Sequence, residues 1–263
     1  MHLLMCPPNY FDVSYEINPW MRLEVTPDRS VAQRQWETLY KIVTEQIGAQ
    51  VSLIDPQPGL PDMVFTANAG LVEGQTYIPA RFKYQEREGE VVHFRNWFAA
   101  RGYREQELTS GPFEGEGDAL WYAGTLLAGY GPRSSEETHP QLERILGRKV
   151  LSLGLVDGRY YHLDVCFAPL GPNELAYYAP AFDEPANRAL EALPGNKIKL
   201  TKTDADCFGA NVIVLGRDVV MNVGAVDLAS ALTSSGYRVH TTDLSEFLKA
   251  GGSAKCLALT LER

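Results

Sequence analysis

The segment "GGSAKCLALTLE" sets Cys256 between a Gly-Gly-Ser turn and a strand-like apolar run. Two readings fit it. A free cysteine is commonly buried as a small hydrophobe, and Cys6, Cys166 and Cys207 read that way. Cys256 differs, because Gly251, Gly252 and Ser253 offer a loop whose backbone amides can stabilise a thiolate and receive a ligand.

Other segments offer partners for such a thiol. "FEGEGDALWY" places Glu114, Glu116 and Asp118 within five positions, interleaved with glycines. In an extended segment alternate side chains share a face, so the three acids would point together. Clustered carboxylates repel unless something cationic sits among them. An acidic surface turn is the other reading. "RYYHLDVCFAPLG" puts His162 and Asp164 on one face of a strand, separated by Leu163. Histidine suits proton transfer near neutral pH. In "LPDMVFTANAG", Asp62 and Asn68 flank a β-prone stretch, and a functional Asn68 must point to the same pocket as Asp164. Arg133 in "GYGPRSSEE" stands after a turn, where a guanidinium can fork onto a carboxylate. Arg81 in "IPARFKY" occupies a similar place one unit earlier.

These residues need a scaffold that gathers them from the whole chain. A loose unit recurs about every 45–50 residues, a spacing that suggests a circular array. Each unit holds two short apolar strands around a turn, then an amphipathic helix. "ANAGLVEGQTYIPARF" leads into "QEREGEVVHFRNWFAARG", with Val91, Val92, Phe94, Trp97 and Phe98 at helical spacing. "DALWYAGTLLAGYG", "DVCFAPLGPNELAYYAP" and "GANVIVLGRDVVMN" are each followed by a helical segment. The two ends supply a fifth unit, from "MHLLMCPP", "AKCLALTLE" and a helix in "PDRSVAQRQWETLYKIVTEQIGA" capped at Asp28 or Ser30. A ring closed by its own termini would bring Cys256 beside the first unit. An open doubly wound sheet is the alternative. The hairpin before each helix favours the ring.

The 263 residues carry 24 Lys and Arg against 33 Asp and Glu, a formal charge of -9. That excess argues against nucleic acid or an anionic membrane as partner and is compatible with a cationic substrate. "MHLLMCPPNYFDV" has no basic flank and is broken by Pro7 and Pro8, unlike a secretory signal. No apolar stretch reaches membrane-spanning length. The expectation is a cytoplasmic protein with reduced thiols. The four cysteines form no CxxC pair, so neither a zinc site nor a disulfide framework is suggested.

Taken in order, "MCPPNYFDVSYEINPWM", "PDMVFTANAG", "FEGEGDAL", "YYHLDVCF" and "GGSAKCLAL" resemble the amidinotransferase superfamily, the pentein or guanidino-group-modifying enzymes. The resemblance covers essentially the whole chain. It implies an α/β fold, a five-bladed propeller of ββαβ repeats with pseudo-fivefold symmetry, formed by one catalytic domain over residues 1–263. It also implies Cys256 as nucleophile, His162 as general acid and base, Glu114 as the acid that orients His162, and Asp164 as a guanidinium contact. Asp118 matches the second acid of the EGxGD motif, with a structural role expected. Where arginine deiminases carry an Asp after "FTR", this chain has Asn68, as arginine dihydrolase-like members do. Arg133 would take the α-carboxylate of an amino-acid substrate.

The expected function is hydrolysis at the guanidino carbon of arginine or an N-methylarginine, in the manner of arginine dihydrolases or dimethylarginine dimethylaminohydrolases. Asp164 and Glu114 would hold the cation, the Cys256 thiolate would attack, and His162 would move the protons. No metal or other cofactor is called for. A small guanidino compound is the expected partner, and a homo-oligomer is compatible. An amidinotransferase is the nearest rival, and a non-catalytic small-molecule-binding module is the rival from another class.

Overall fold

The computed structural model describes residues 1–262. It is a mixed α/β fold of five three-stranded sheets. The chain opens with β1 (His2–Met5), α1 (Arg29–Lys41) and β2 (Gln50–Leu53). Next come β3 (Gly70–Glu73), β4 (Thr76–Pro79), α2 (Glu90–Ala99) and β5 (Arg104–Glu105). The third group is β6 (Ala119–Tyr122), β7 (Thr125–Tyr130), α3 (His139–Leu146) and β8 (Val150–Gly154). A one-turn helix α4 (Leu163–Cys166) precedes β9 (Phe167–Gly171), β10 (Glu174–Tyr177), α5 (Glu184–Ala192) and β11 (Asn196–Lys199). After a short helix α6 (Lys202–Asp206) come β12 (Ile213–Leu215), β13 (Asp218–Asn222), α7 (Val226–Ser234) and β14 (Arg238–Thr242). The last strand is β15 (Leu259–Glu262).

Each sheet has one plan. An antiparallel hairpin is followed by a helix, and the chain returns as a third strand parallel to the second. Four sheets are continuous in sequence. In the fifth, β15 pairs antiparallel to β1, and β1 pairs parallel to β2. The two ends thus build one unit, as the repeat analysis anticipated, and the five separate sheets exclude the doubly wound alternative.

Turn chemistry explains the hairpins. Between β6 and β7 the two turn residues, Ala123 and Gly124, both have positive φ, at 48° and 81°. That is the turn whose twist matches a tight hairpin. The helices are held by their apolar faces. Asp28 caps α1 by accepting from the Ser30 and Val31 amides, and Ala32, Trp36 and Leu39 of α1 are buried. On α2, Phe94, Trp97 and Phe98 are buried, while Val92 faces solvent. Phe98 stacks on Tyr77 of β4 with centroids 3.8 Å apart. Burying such a side chain contributes about 2–3 kcal/mol.

Among the described residues, no helix is long and apolar enough to cross a membrane.

Candidate active site

The leading strand of each hairpin, β3, β6, β9, β12 or β15, is entered through a short turn, and these turns carry the candidate site residues. Single 3-10 turns at Pro61–Val64 and Thr66–Ala69 lead to β3, and one at Gly115–Gly117 leads to β6. α4 leads to β9.

Two expectations change as a result. The segment from 114 to 118 is not extended, so its acids diverge rather than share a face. Glu114 meets His162 and Arg133, Glu116 meets Lys255, and Asp118 meets Ser134. Likewise His162 and Asp164 do not lie along a strand. His162 is the N-cap of α4 and Asp164 sits in its turn. The helical step sends His162 to Glu114 and Asp164 to Cys256.

Cys256 is 2% exposed. Its Sγ lies 3.4 Å from Asp164 Oδ2 and accepts a hydrogen bond from Asn211 Nδ2 at 3.1 Å. The glycines before it serve close packing rather than exposure. A Cβ on Gly252 would stand 2.3 Å from the Phe65 ring. Burial and the neighbouring Asp164 push the Cys256 thiol well above its ordinary range. The expected thiolate-stabilising loop is therefore not an exposed one. Burial also pushes Asp164 up to about 7, with Lys255, Cys256 and Asn211 opposing the rise.

Glu114 is fully buried. Its Oε2 accepts from Arg133 Nη1 and shares a hydrogen bond with His162 Nε2, both at 2.7 Å. Its Oε1 accepts from the Lys83 amide. Burial alone would raise this carboxyl, but Arg133 and His162 hold it below the usual carboxylate range. Arg133 lies between the rings of Tyr84 and Tyr161 and donates to the Ile17 carbonyl. With both oxygens engaged, Glu114 is a partner of His162 rather than a direct holder of a cation. Asp118 accepts from Ser134 Oγ and from the Leu163 amide. These bonds tie Asp118 to the start of α4, and burial pushes it up to about 6.

Asn68 and Asp62 line a small pocket of ≈ 10 Å³ with Cys256, Arg133 and Tyr161. Arg87 lines it too, and sequence reasoning missed it. Arg87 is buried and pairs through Nε and Nη2 with Glu90 at 2.7 and 2.9 Å. It donates to Asn68 Oδ1 at 2.8 Å, while Asn68 Nδ2 donates to the Glu114 carbonyl. In "YQEREGE" it hid in a charged run that reads as a solvated face. Its i,i+3 spacing to Glu90 was the available signal. Asn211 was hidden inside an apolar hairpin.

Four buried polar atoms of this region have no hydrogen-bond partner: Asp62 Oδ1, Asp164 Oδ1, His162 Nδ1 and Ser253 Oγ. Such orphans are costly and call for an explanation. Asp62 lines the small pocket with Cys256, and Asp164 reaches Cys256 Sγ through its other oxygen, so two unfilled carboxylate acceptors suited to a cation rich in N–H groups belong to residues at the thiol. A pocket of this size holds about one water. Ile17, Asn18 and Met21 border it opposite Ala250 and Gly252. Asn18 Nδ2 donates to the Ala250 carbonyl at 3.0 Å, closing that side. A larger ligand requires those segments to part.

Arg81 is not in this site. It bridges to Phe113, and its exposed guanidinium donates to the Gly111 and Leu108 carbonyls. The extended pairing with Phe113 turns the side chain outward. We expect Arg81→Ala to leave KM for any substrate within about twofold and to cost under ~1 kcal/mol. Steady-state kinetics and thermal melts check this.

A second cavity of ≈ 620 Å³ lies among Leu120, Trp121, Phe167 and Ile213, with Lys255 and Glu116 in its wall. Lys255 Nζ and Glu116 Oε2 are 2.7 Å apart. Consecutive residues thus face two spaces, Lys255 the larger and Cys256 the smaller. Among the described residues, no group of three or more His, Cys, Asp or Glu side chains could hold a metal ion.

The fold and the site define a mixed α/β protein that buries a cysteine beside carboxylates and a glutamate-tied histidine. No family model matches the chain. A protein of Nostoc sp. named bifunctional arginine dihydrolase/ornithine cyclodeaminase AgrE is 46% identical over 98% of this chain and 37% of its own length. Its Synechocystis counterpart ArgZ is 44% identical, again over 37% of its length. The chain thus spans little more than a third of these relatives. An N(G),N(G)-dimethylarginine dimethylaminohydrolase of Mycobacterium tuberculosis is 42% identical over 98% of this chain and 84% of its own. Among solved structures, the N-terminal domain of ArgZ bound to substrate matches with a TM-score of 0.95, covering 100% of this chain and 98% of that one at 43% identity. The same domain has been solved covalently bound to a reaction intermediate. The chain belongs to the guanidino-group-modifying, or pentein, family that includes arginine dihydrolases and dimethylarginine dimethylaminohydrolases.

Proposed function

We propose that the chain hydrolyses arginine at the guanidino carbon, giving ornithine, carbon dioxide and two ammonia molecules with consumption of two waters. The observation that carries this reading is the pair of unpartnered carboxylate oxygens on residues at Cys256, Asp62 Oδ1 and Asp164 Oδ1, with His162 Nδ1 likewise unpartnered. The dihydrolase version is favoured by Asn68 and by the two relatives of that name. We read the five sheets as the blades of a five-bladed α/β propeller with pseudo-fivefold symmetry, forming one catalytic domain over 1–263. The acidic charge supports an enzyme without nucleic-acid or membrane partners, and a cytoplasmic location and a homo-oligomer are compatible.

The chemistry follows from the geometry. The guanidinium carbon is deactivated by resonance, so it needs a strong nucleophile and firm orientation. Asp164 and Asp62 each offer an unfilled carboxylate oxygen to guanidinium N–H groups. The arriving cation favours ionisation of Cys256 and Asp164, opposing the burial that raises both. The thiolate attacks the central carbon. His162, with Nε2 held by Glu114, protonates the leaving ammonia through Nδ1. It then takes a proton from water, and attack of that water on the S-linked thiouronium gives citrulline still bound. A second round on the ureido carbon, with loss of the remaining ammonia and of carbon dioxide, leaves ornithine. Arg133 and Arg87 are the cations at hand for an α-carboxylate.

The test is incubation with arginine, dimethylarginine, agmatine and citrulline, with products identified by mass. Ornithine from arginine supports the dihydrolase. Citrulline and dimethylamine from dimethylarginine would replace it with the dimethylaminohydrolase version. Four unchanged compounds would overturn hydrolysis altogether.

Asp164 sets the pH dependence. With its carboxyl pushed up to about 7 by burial, kcat/KM should fall tenfold per unit as pH drops below 7, since only the ionised form accepts from a guanidinium. A pH–rate profile that stays flat between 6 and 8 would contradict this.

A further inference from the structure

We propose that Asn211 is a positioning residue for the nucleophile, holding the Cys256 sulfur in place and donating a side-chain hydrogen bond that supports its thiolate; the proposal rests on the reading of Cys256 as nucleophile. The repeat points to it first. The turns before β3, β6, β9 and β15 deliver Asn68, Glu114, the His162–Asp164 pair and Cys256. The turn before β12 delivers Asn211, two residues ahead of its strand, as Asn68 is two residues ahead of β3. Asn211 is fully buried.

Its hydrogen bonds are directed at the reacting groups. Oδ1 accepts from the Cys256 amide at 3.1 Å, and Nδ2 donates to Cys256 Sγ at 3.1 Å. Nδ2 also donates to the Asp164 carbonyl at 3.1 Å. The Asn211 carbonyl accepts from the Lys255 amide at 3.3 Å. One side chain thus ties the turn that carries Asp164 to the turn that carries Cys256. The approach to it is strained. Phe208 has φ 58°, and its ring packs on Trp20 with centroids 4.7 Å apart. A non-glycine residue in the left-handed region costs free energy, and it persists where the surroundings enforce it.

The electrostatics give the amide its work. The charged and titratable neighbours of Sγ leave the thiolate poorly supported. Asp164 stands 3.4 Å away and opposes negative charge. Lys255 is turned to Glu116, and His162 to Glu114. Tyr161 donates its hydroxyl to the Gly251 carbonyl. Asp62, Arg87 and Arg133 lie around the same pocket. An N–H donor favours the ionised form of a sulfur acceptor, and Asn211 supplies one beside the Ser253 backbone amide, without adding a charge.

The decisive measurement is the pH dependence of iodoacetamide alkylation at Cys256, read on the Cys256 peptide by mass spectrometry so that half-buried Cys207 does not interfere. Asn211→Asp keeps the size and one acceptor oxygen but replaces the donor. Asn211→Ser, smaller and uncharged, serves if the Asp variant does not fold. In a folded variant the alkylation midpoint should rise by about one pH unit or more. With it, kcat should fall about 10- to 100-fold, as for loss of a hydrogen bond to a charged group, while KM stays within about threefold. A loss confined to KM or to Tm, with the midpoint unmoved, overturns the proposal. Wild-type protein that turns over none of the guanidino compounds would sink the hydrolase reading instead, and the alkylation comparison would still decide the role of Asn211.

Discussion

Cys256→Ala should lower arginine turnover by about five orders of magnitude or more, the scale seen when a covalent nucleophile is deleted. The fold should survive. The change removes one small buried sulfur hydrogen-bonded to Asp164 and Asn211, so Tm should move by only a few degrees. Two measurements check it. Single-turnover kinetics should show no product from the variant. Rapid quench and intact mass should show a thiouronium adduct on wild-type protein and none on the variant. Turnover above about one part in a thousand in the alanine variant would mean that the sulfur is not the attacking atom.

The second large effect concerns charge burial. Arg133 and Glu114 form a pair with side chains 3% and 0% exposed. Breaking such a pair from one side strands the other charge, at about 3–5 kcal/mol. Arg133→Met should therefore be among the most damaging single changes, and activity should go with it, since the Glu114 support of His162 is lost. The sign of the pH effect is informative. In wild-type protein, Glu114 is held below its ordinary range, so its stabilisation is present above the unfolded value and lost as pH falls towards the folded one. In Arg133→Met the carboxyl should rise instead. The deficit should then shrink as pH is lowered through the 4–6 range and Glu114 takes up a proton. Adding Glu114→Gln should recover most of the stability without recovering activity. Urea melts at several pH values test this, and a deficit that grows in acid would refute it.

Much of the scaffold was legible because hairpin turns and helical spacing leave strong local patterns. The pairing of the two ends followed from counting units. The turns before the strands were not legible. Runs of three or four residues such as Gly115–Gly117 and α4 are too short to show a period, so they read as strands. The sequence singled out by type and order residues that the structure sets in contact, Cys256 with Asp164 and His162 with Glu114. It was misread where a position in one unit was copied to the next. Arg81 resembles Arg133 in sequence, yet its backbone pairs with Phe113 and carries the guanidinium outward. Glu114 was taken as a clamp for the cation, because the demand of Arg133 and His162 on a single oxygen is a tertiary fact.

The sheet that joins the two ends has a consequence for assembly. β1 lies between β15 and β2, so one edge of this strand is completed by the distant segment Leu259–Glu262. Contacts so far apart in sequence raise contact order and slow folding. During synthesis the first strand must wait with that edge unpaired until Leu259–Glu262 have left the ribosome. Cys256 lies in the same stretch, so the pairing of β15 with β1 and the seating of the candidate nucleophile depend on one segment.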